Sequence, residues 1–140
     1  MEDLDRRIVD LLRADGRMSY TDLGKAMGLS TSAVHQRVRR LEERGVVKGY
    51  AALVDFTALD LPLTAFISIS PLDPAAPDDI PDRLRDITEL EACHSVAGEE
   101  NYILKARVHT PGDLETLLAR IRAAANVATR TTVVLSTPWE

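Results

Sequence analysis

Along the first third of the chain, apolar residues recur every three to four positions, in blocks separated by turn formers. Leu4, Ile8, Leu11 and Leu12 make the i, i+4, i+7, i+8 stripe of an amphipathic helix, with Asp3 placed to cap it. Ala14-Asp15-Gly16-Arg17 closes that helix. Ser19 caps a second helix whose third position is Asp22, and Gly28 ends it in the left-handed conformation that a side chain makes costly. This predicts a helix of about two turns from Tyr20 to Met27. Ser30 caps a third helix that runs to Arg44, where Gly45 supplies the stop. Its Val34, Val38 and Leu41 share one stripe and should pack against Leu23, Ala26 and Leu29.

Beyond the third helix the period shortens to two. Val46 to Phe56 reads as an extended, strand-like linker, and Leu61-Pro62 ends it, because a residue before proline is pushed out of helical geometry. A boundary near residue 60 follows, dividing the chain into 1–60 and 61–140. Leu63, Ala65, Ile67 and Ile69 alternate with Thr64, Phe66 and Ser68, as in a half-buried strand. Prolines crowd the loop from Pro71 to Pro81, and Leu84 and Ile87 predict a short helix within Asp82 to Leu90. Ala92 to Ala97 and Tyr102 to Val108 are strand-like runs joined by the turn Gly98-Glu99-Glu100-Asn101. Thr110-Pro111-Gly112-Asp113 starts a helix bearing Leu114, Leu117, Leu118 and Ile121, and the β-branched run Thr129 to Ser136 is a last strand.

The whole is an α+β chain: an N-terminal winged helix-turn-helix, then a β-α-β-β-α-β unit of ferredoxin-like type, with two helices on one face of a four-stranded sheet. If Leu63, Ala65, Ile67, Leu104, Ala106, Val133 and Leu135 face those helices, then Phe66, Ile103 and Val134 point to the open side. An exposed apolar patch marks an interface, so a homodimer made by sheet packing is expected.

Charge sharpens the division. The chain carries a net −5, yet residues 1–50 hold 10 Lys+Arg against 8 Asp+Glu, while residues 51–140 hold 7 against 14. A chain acidic overall does not coat nucleic acid indiscriminately, so DNA contact must be local to the N-terminal part. There the outward face of the third helix offers Ser32, His35, Gln36, Arg39 and Arg40, flanked by Arg37 and Arg44, a set suited to phosphates and base edges. A short supporting helix, a tight turn and a longer exposed second helix make a helix-turn-helix. Ser32, His35, Gln36 and Arg39 are expected at base edges and Thr21, Thr31 and Arg40 at phosphates, with Ser30 and Arg37 in the same contact set. The bland alternative is a surface helix whose arginines are merely solvated.

Other chemistry is sparse. The single Cys93 cannot form an intramolecular disulfide and reads as a packed small residue, and His35, His94 and His109 show no zinc spacing, so no metal site is expected. Cys93 and His94, adjacent on a strand, point to opposite faces and make a poor nucleophile and base. No run of about 18 apolar residues exists and the N-terminus is a charged helix, so a cytoplasmic protein without a membrane partner is expected.

In combination, Leu4-Asp5 with Ile8 and Leu11-Leu12, Gly16-Arg17 to Leu23, Leu29-Ser30, Val34, Arg37-Val38, Leu41-Glu42, and Gly45-Val46 to Gly49-Tyr50 resemble the leucine-responsive regulatory protein and asparagine-regulator (Lrp/AsnC) family of transcription factors. The resemblance covers nearly the whole chain. It implies a DNA-binding regulator rather than an enzyme, with no cofactor, whose second half senses an amino acid near a Gly-x-x-Asp hairpin turn between subunits or dimers. Here that turn reads Gly98-Glu99-Glu100-Asn101-Tyr102. Asn101 stands where the family has aspartate, which removes a charge that could hold an ammonium group; Glu99 or Glu100 is the available substitute. The resemblance also implies dimers that assemble as far as octamers, an amino acid that shifts assembly or operator affinity, and an Arg37 that either supports the fold by an ion pair or touches the DNA backbone. Three readings stand against these: a haem-modifying decarboxylase of related fold, an architectural DNA protein without an effector, and, for Gly98 to Tyr102, an ordinary hairpin turn.

Overall fold

The computed structural model describes residues Met1–Glu140, whose contacts divide into two units, Met1–Leu53 and Val54–Glu140. The first contains three helices: α1 (Asp3–Ala14), α2 (Tyr20–Met27) and α3 (Thr31–Glu43). The caps expected of α2 and α3 form: Ser19 Oγ accepts from the Asp22 N–H at 3.0 Å, Ser30 Oγ accepts from the Ala33 N–H at 3.1 Å, and Gly28 is left-handed at φ 68°. At α1 the cap position is Glu2 instead of Asp3, and no side chain bonds the first turn. Ile8, Leu23, Val34, Val38 and Leu41 are buried together. Ala26 lies outside that core, exposed, and its carbonyl accepts from Arg7 at 2.8 Å.

Residues 46–56 form neither a wing nor a linker strand. Their β-branched composition favours an extended chain, but a strand also needs a paired neighbour to satisfy its N–H and C=O groups, and these residues join no strand ladder. Tyr50, Leu53 and Val54 are consequently exposed.

The second unit begins ahead of residue 60, because the segment before Pro62 packs onto it. Phe56 lies under the Arg107 guanidinium, 3.6 Å from ring centre to Cζ, and the Asp60 carbonyl is 2.8 Å from His109 Nδ1. Its elements are β1 (Leu63–Pro71), α4 (Ile80–Leu84), β2 (Leu90–Ser95), β3 (Tyr102–Val108), α5 (Pro111–Ala125) and β4 (Val127–Val133). The sheet order is β2-β3-β1-β4, antiparallel throughout, which is the ferredoxin-like order. Thr110 caps α5 by accepting from the Asp113 N–H at 3.1 Å, and Asn126 ends it in the left-handed region at φ 54°. Helix α4 is shorter than the spacing of Leu84 and Ile87 predicts; turns carry the chain from Leu84 through Ile87 to Leu90, so Ile87 is buried without belonging to a helix. Ala65, Ile67, Ile69, Leu104, Leu117, Ile121 and Val127 form the centre of the core, and Tyr102 is its one buried side chain with a hydroxyl.

Two expectations about the sheet change. Strand β4 starts at Val127, so Val127 is its buried residue, while Val133 is exposed and Leu135, past the strand end, is 97% exposed. The open face is mixed rather than apolar. Register places Thr64, Phe66 and Ser68 beside Arg107, Lys105 and Ile103 on one side and beside Thr132 and Arg130 on the other. Phe66 remains 39% exposed among them. Cys93 is exposed rather than packed, because β2 is an edge strand. No helix is long and apolar enough to cross a membrane.

Candidate DNA-reading helix and effector turn

Helix α3 divides lengthwise. Val34, Val38 and Leu41 are buried in the core, whereas Thr31, Ser32, His35, Gln36, Arg39 and Arg40 are all exposed, as is Thr21 on α2. Ser30 is engaged as the cap, and its hydroxyl also lies 3.3 Å from Ser32 Oγ. The His35 ring stands edge-on to Tyr20, with centroids 5.0 Å apart. Arg39 reaches Glu43 one turn on, Nε to Oε1 3.2 Å. Both groups are solvated, so that pair is worth only about 0.3–0.5 kcal/mol and does not commit Arg39 to the fold. Arg40 and Arg44 line a surface hollow with Glu2, Asp5 and Arg37.

Arg37 differs from its neighbours. Its Nη1 lies 3.0 Å from both Glu2 Oε2 and Asp5 Oδ1, and its side chain is 21% exposed. Hydrogen bonds to Glu2 first and Asp5 second push its pKa above the ordinary guanidinium value. Two carboxylates already surround this cation, so it ties α3 to the start of α1 and is occupied within the fold.

In the second unit, the turn between β2 and β3 is closed by the Val96 N–H donating to the Asn101 carbonyl at 3.0 Å. The Asn101 N–H donates to the Ile69 carbonyl, also at 3.0 Å, so the backbone of the turn is anchored on β1. Arg130 of β4 reaches both acidic residues of the turn, Nε to Glu100 Oε1 at 3.0 Å and Nη1 to Glu99 Oε2 at 3.4 Å. Buried Tyr102 donates its hydroxyl to Asp78 Oδ1 at 2.7 Å, joining the turn to the proline-rich loop. That bond, then burial, raises the phenol above its ordinary value. A β-carbon added at Gly98 would meet nothing within 4 Å, so the surface of the turn is open there.

The turn residues expected from sequence thus lie together, and the α3 residues share one exposed helix. What sequence reading missed are partners from distant elements: Asp78, Arg130 and Tyr20. No local spacing signals them, because each meets its site only through sheet register or helix packing. Gly24 was also missed. It is buried where α2 meets the turn into α3, and a β-carbon there would lie 2.5 Å from the Leu29 carbonyl oxygen.

Residues 1–42 match the family model of the AsnC-type helix-turn-helix domain, and residues 64–140 match that of the Lrp/AsnC ligand binding domain. The chain is 53% identical over 137 residues to the HTH-type transcriptional regulator LrpA of Mycobacterium tuberculosis, covering 98% of this chain and 91% of that protein. It is 36% identical over 140 residues to the leucine-responsive regulatory protein of Escherichia coli, covering 96% and 85%. The fold matches that of the feast or famine regulatory protein of M. tuberculosis complexed with L-methionine at a TM-score of 0.97 and 52% identity, covering 99% of this chain and 95% of that one. These similar proteins are named as regulators, which disfavours the decarboxylase reading. With a DNA-binding helix-turn-helix followed by a ligand-binding α+β unit, each matched over its length, the chain belongs to the Lrp/AsnC family of transcriptional regulators.

Proposed function

We propose that this chain binds a pseudo-palindromic operator as a homodimer, and that an amino acid held at the Gly98–Tyr102 turn shifts its assembly or its operator affinity. The first unit, Met1–Leu53, supplies the DNA contact, and the second, Val54–Glu140, the sensing and association. The exposed row on α3 carries the reading: Ser32, His35, Gln36 and Arg39 meet base edges, while Thr31 and Arg40, with Thr21 of α2, meet phosphates. Ser30 contributes by fixing the helix start, and Arg37 by holding the helix in place. Two copies related by a two-fold axis bring their α3 helices to successive major grooves, about 34 Å apart. The exposed Phe66 and Leu135, which line one hollow with Val134, support association through the open sheet face of the second unit, with higher assembly up to octamers built from the dimers. The proposed setting is the cytoplasm, together with the double-stranded DNA the chain binds.

An amino acid as effector is supported by the ligand-binding family model and by the L-methionine complex of a protein 52% identical to this one. Such a ligand alters DNA binding only if it favours one assembly or conformation over another. The test begins with melting temperature against each of the twenty amino acids at millimolar concentration, since a ligand of the native state raises it. A selective shift, abolished in Gly98→Trp and accompanied by changed operator affinity, is the expected result. Unchanged amino-acid affinity in folded Gly98→Trp would remove the turn from the site, and no shift with DNA binding intact would favour an architectural protein. Light scattering at micromolar concentration checks the dimer; a monomer refutes it.

A further inference from the structure

The turn has an unusual arrangement of charge. Asn101 is neutral, so Glu99 and Glu100 are its only anions, and a single cation from another strand reaches both. Arg130 stands on β4 opposite Ser68 of β1, which pairs in turn with Ile103 of β3. Its two contacts are unequal. Nε and Nη2 lie 3.0 and 3.4 Å from the two oxygens of Glu100, a forked pair with a carboxylate only 19% exposed. Nη1 lies 3.4 Å from Glu99, which is 83% exposed.

We propose that Arg130 is the receptor for the α-carboxylate of the amino-acid effector and Glu99 the receptor for its ammonium, an inference that rests on the turn being the effector site. Glu100 holds the guanidinium in position through its forked contact. The longer, solvated contact to Glu99 is the one that opens at small cost. An α-amino acid carries its two charges on neighbouring atoms, so it can enter between Nη1 and Glu99 and replace one loose ion pair with two charge-assisted ones. Two carboxylates and one guanidinium leave the cluster at −1, and a zwitterion adds no net charge, so no new unpaired charge is created. A turn that lacks the family aspartate thereby retains groups for both ends of the ligand. A simple amine or a simple carboxylic acid matches only one of them.

The test is calorimetry on the full chain and on Gly98→Trp, Arg130→Gln and Arg130→Lys. The probe is L-methionine, or whichever of the twenty amino acids raises the melting temperature more, together with its α-amide. Unliganded melting curves establish that each variant is folded. Arg130→Gln is expected to weaken amino-acid binding about tenfold or more, the effect of losing hydrogen bonds to a charged group. Arg130→Lys, which keeps the charge without the fork, falls between. The amide should bind weakly to the unmutated chain and no more weakly to Arg130→Gln, because the group it lacks is the one Arg130 reads. Equal or tighter amino-acid binding by Arg130→Gln, or an amide penalty undiminished in that variant, overturns the assignment of Arg130 even while Gly98→Trp abolishes binding. If Gly98→Trp binds normally, or no amino acid binds the unmutated chain, the effector turn itself fails and this inference with it.

Discussion

Replacing Gly24 by alanine tests how the turn between α2 and α3 is built. Alanine is the better helix former by about 1 kcal/mol, so propensity alone forecasts a gain. The local geometry forecasts the reverse. The Gly24 carbonyl accepts from the Gly28 N–H and, at 2.9 Å, from the Leu29 N–H, which draws the turn across the face of α2. A β-carbon would sit 2.5 Å from the Leu29 carbonyl oxygen and 3.5 Å from its carbon. Carbon and oxygen ordinarily approach no closer than about 3.3 Å, so the turn must retreat by about 0.8 Å. The obstructing atom is backbone and cannot rotate aside. Overpacking of this kind costs about 1–3 kcal/mol, and subtracting the helix gain leaves a net loss as large as about 2 kcal/mol. At about 4–8 °C per kcal/mol for a small domain, a drop of several degrees should appear in far-UV dichroism. Because Leu29 precedes the Ser30 cap, operator affinity should fall too, even below the melting transition. A Gly24→Ala protein that melts at or above the temperature of the parent would refute the close approach.

Gln36→Ala should lose about 1–3 kcal/mol of discrimination between operator and altered sites if the amide reads a base, as competition binding with point-substituted operators will report. Arg40→Ala should weaken binding to all sequences alike and lower the slope of log affinity against log salt by about one phosphate contact; an unchanged slope contradicts that role. Arg37→Met should behave differently: Glu2 and Asp5 lose their shared partner, so thermal stability falls while the salt slope of DNA binding stays the same. The raised phenol pKa of Tyr102 favours its neutral form when folded, so this stabilisation is complete below the unfolded value near 10 and is lost as pH rises through the folded value. Denaturation of Tyr102→Phe above pH 10 should therefore be less steep in pH than that of the parent; parallel curves would remove the Asp78 bond from the account.

Caps and periodicity carried most of the fold into the sequence. Ser19, Gly28, Ser30 and Thr110 each act within a few residues of themselves, and the structure places all four at the helix ends expected of them. Contacts that need a partner elsewhere were not legible. Val46 to Phe56 has the composition of a strand but joins no ladder, and the open face of the sheet gains Arg107, Lys105 and Arg130 only once register sets β3 and β4 beside β1. The same limit applied to the candidate site. Residues along α3 and within the turn were visible as local runs, whereas the Arg37 pairs with Glu2 and Asp5 and the Arg130 pairs with Glu99 and Glu100 join residues about 30 positions apart.

The lengthwise division of α3 bears on how such a regulator changes its targets over evolution. The stripe that holds the fold, Val34, Val38 and Leu41, shares no residue with the outward row Ser32, His35, Gln36 and Arg39, and the helix start is fixed by Ser30, outside both. Substitutions in the outward row leave the buried stripe and the Ser30 bond to the Ala33 N–H in place, so on the proposed reading operator preference can drift while foldability is conserved. The helix is in that sense a fixed stem with an interchangeable edge, and grafting the outward row of one relative onto another should carry its target preference along.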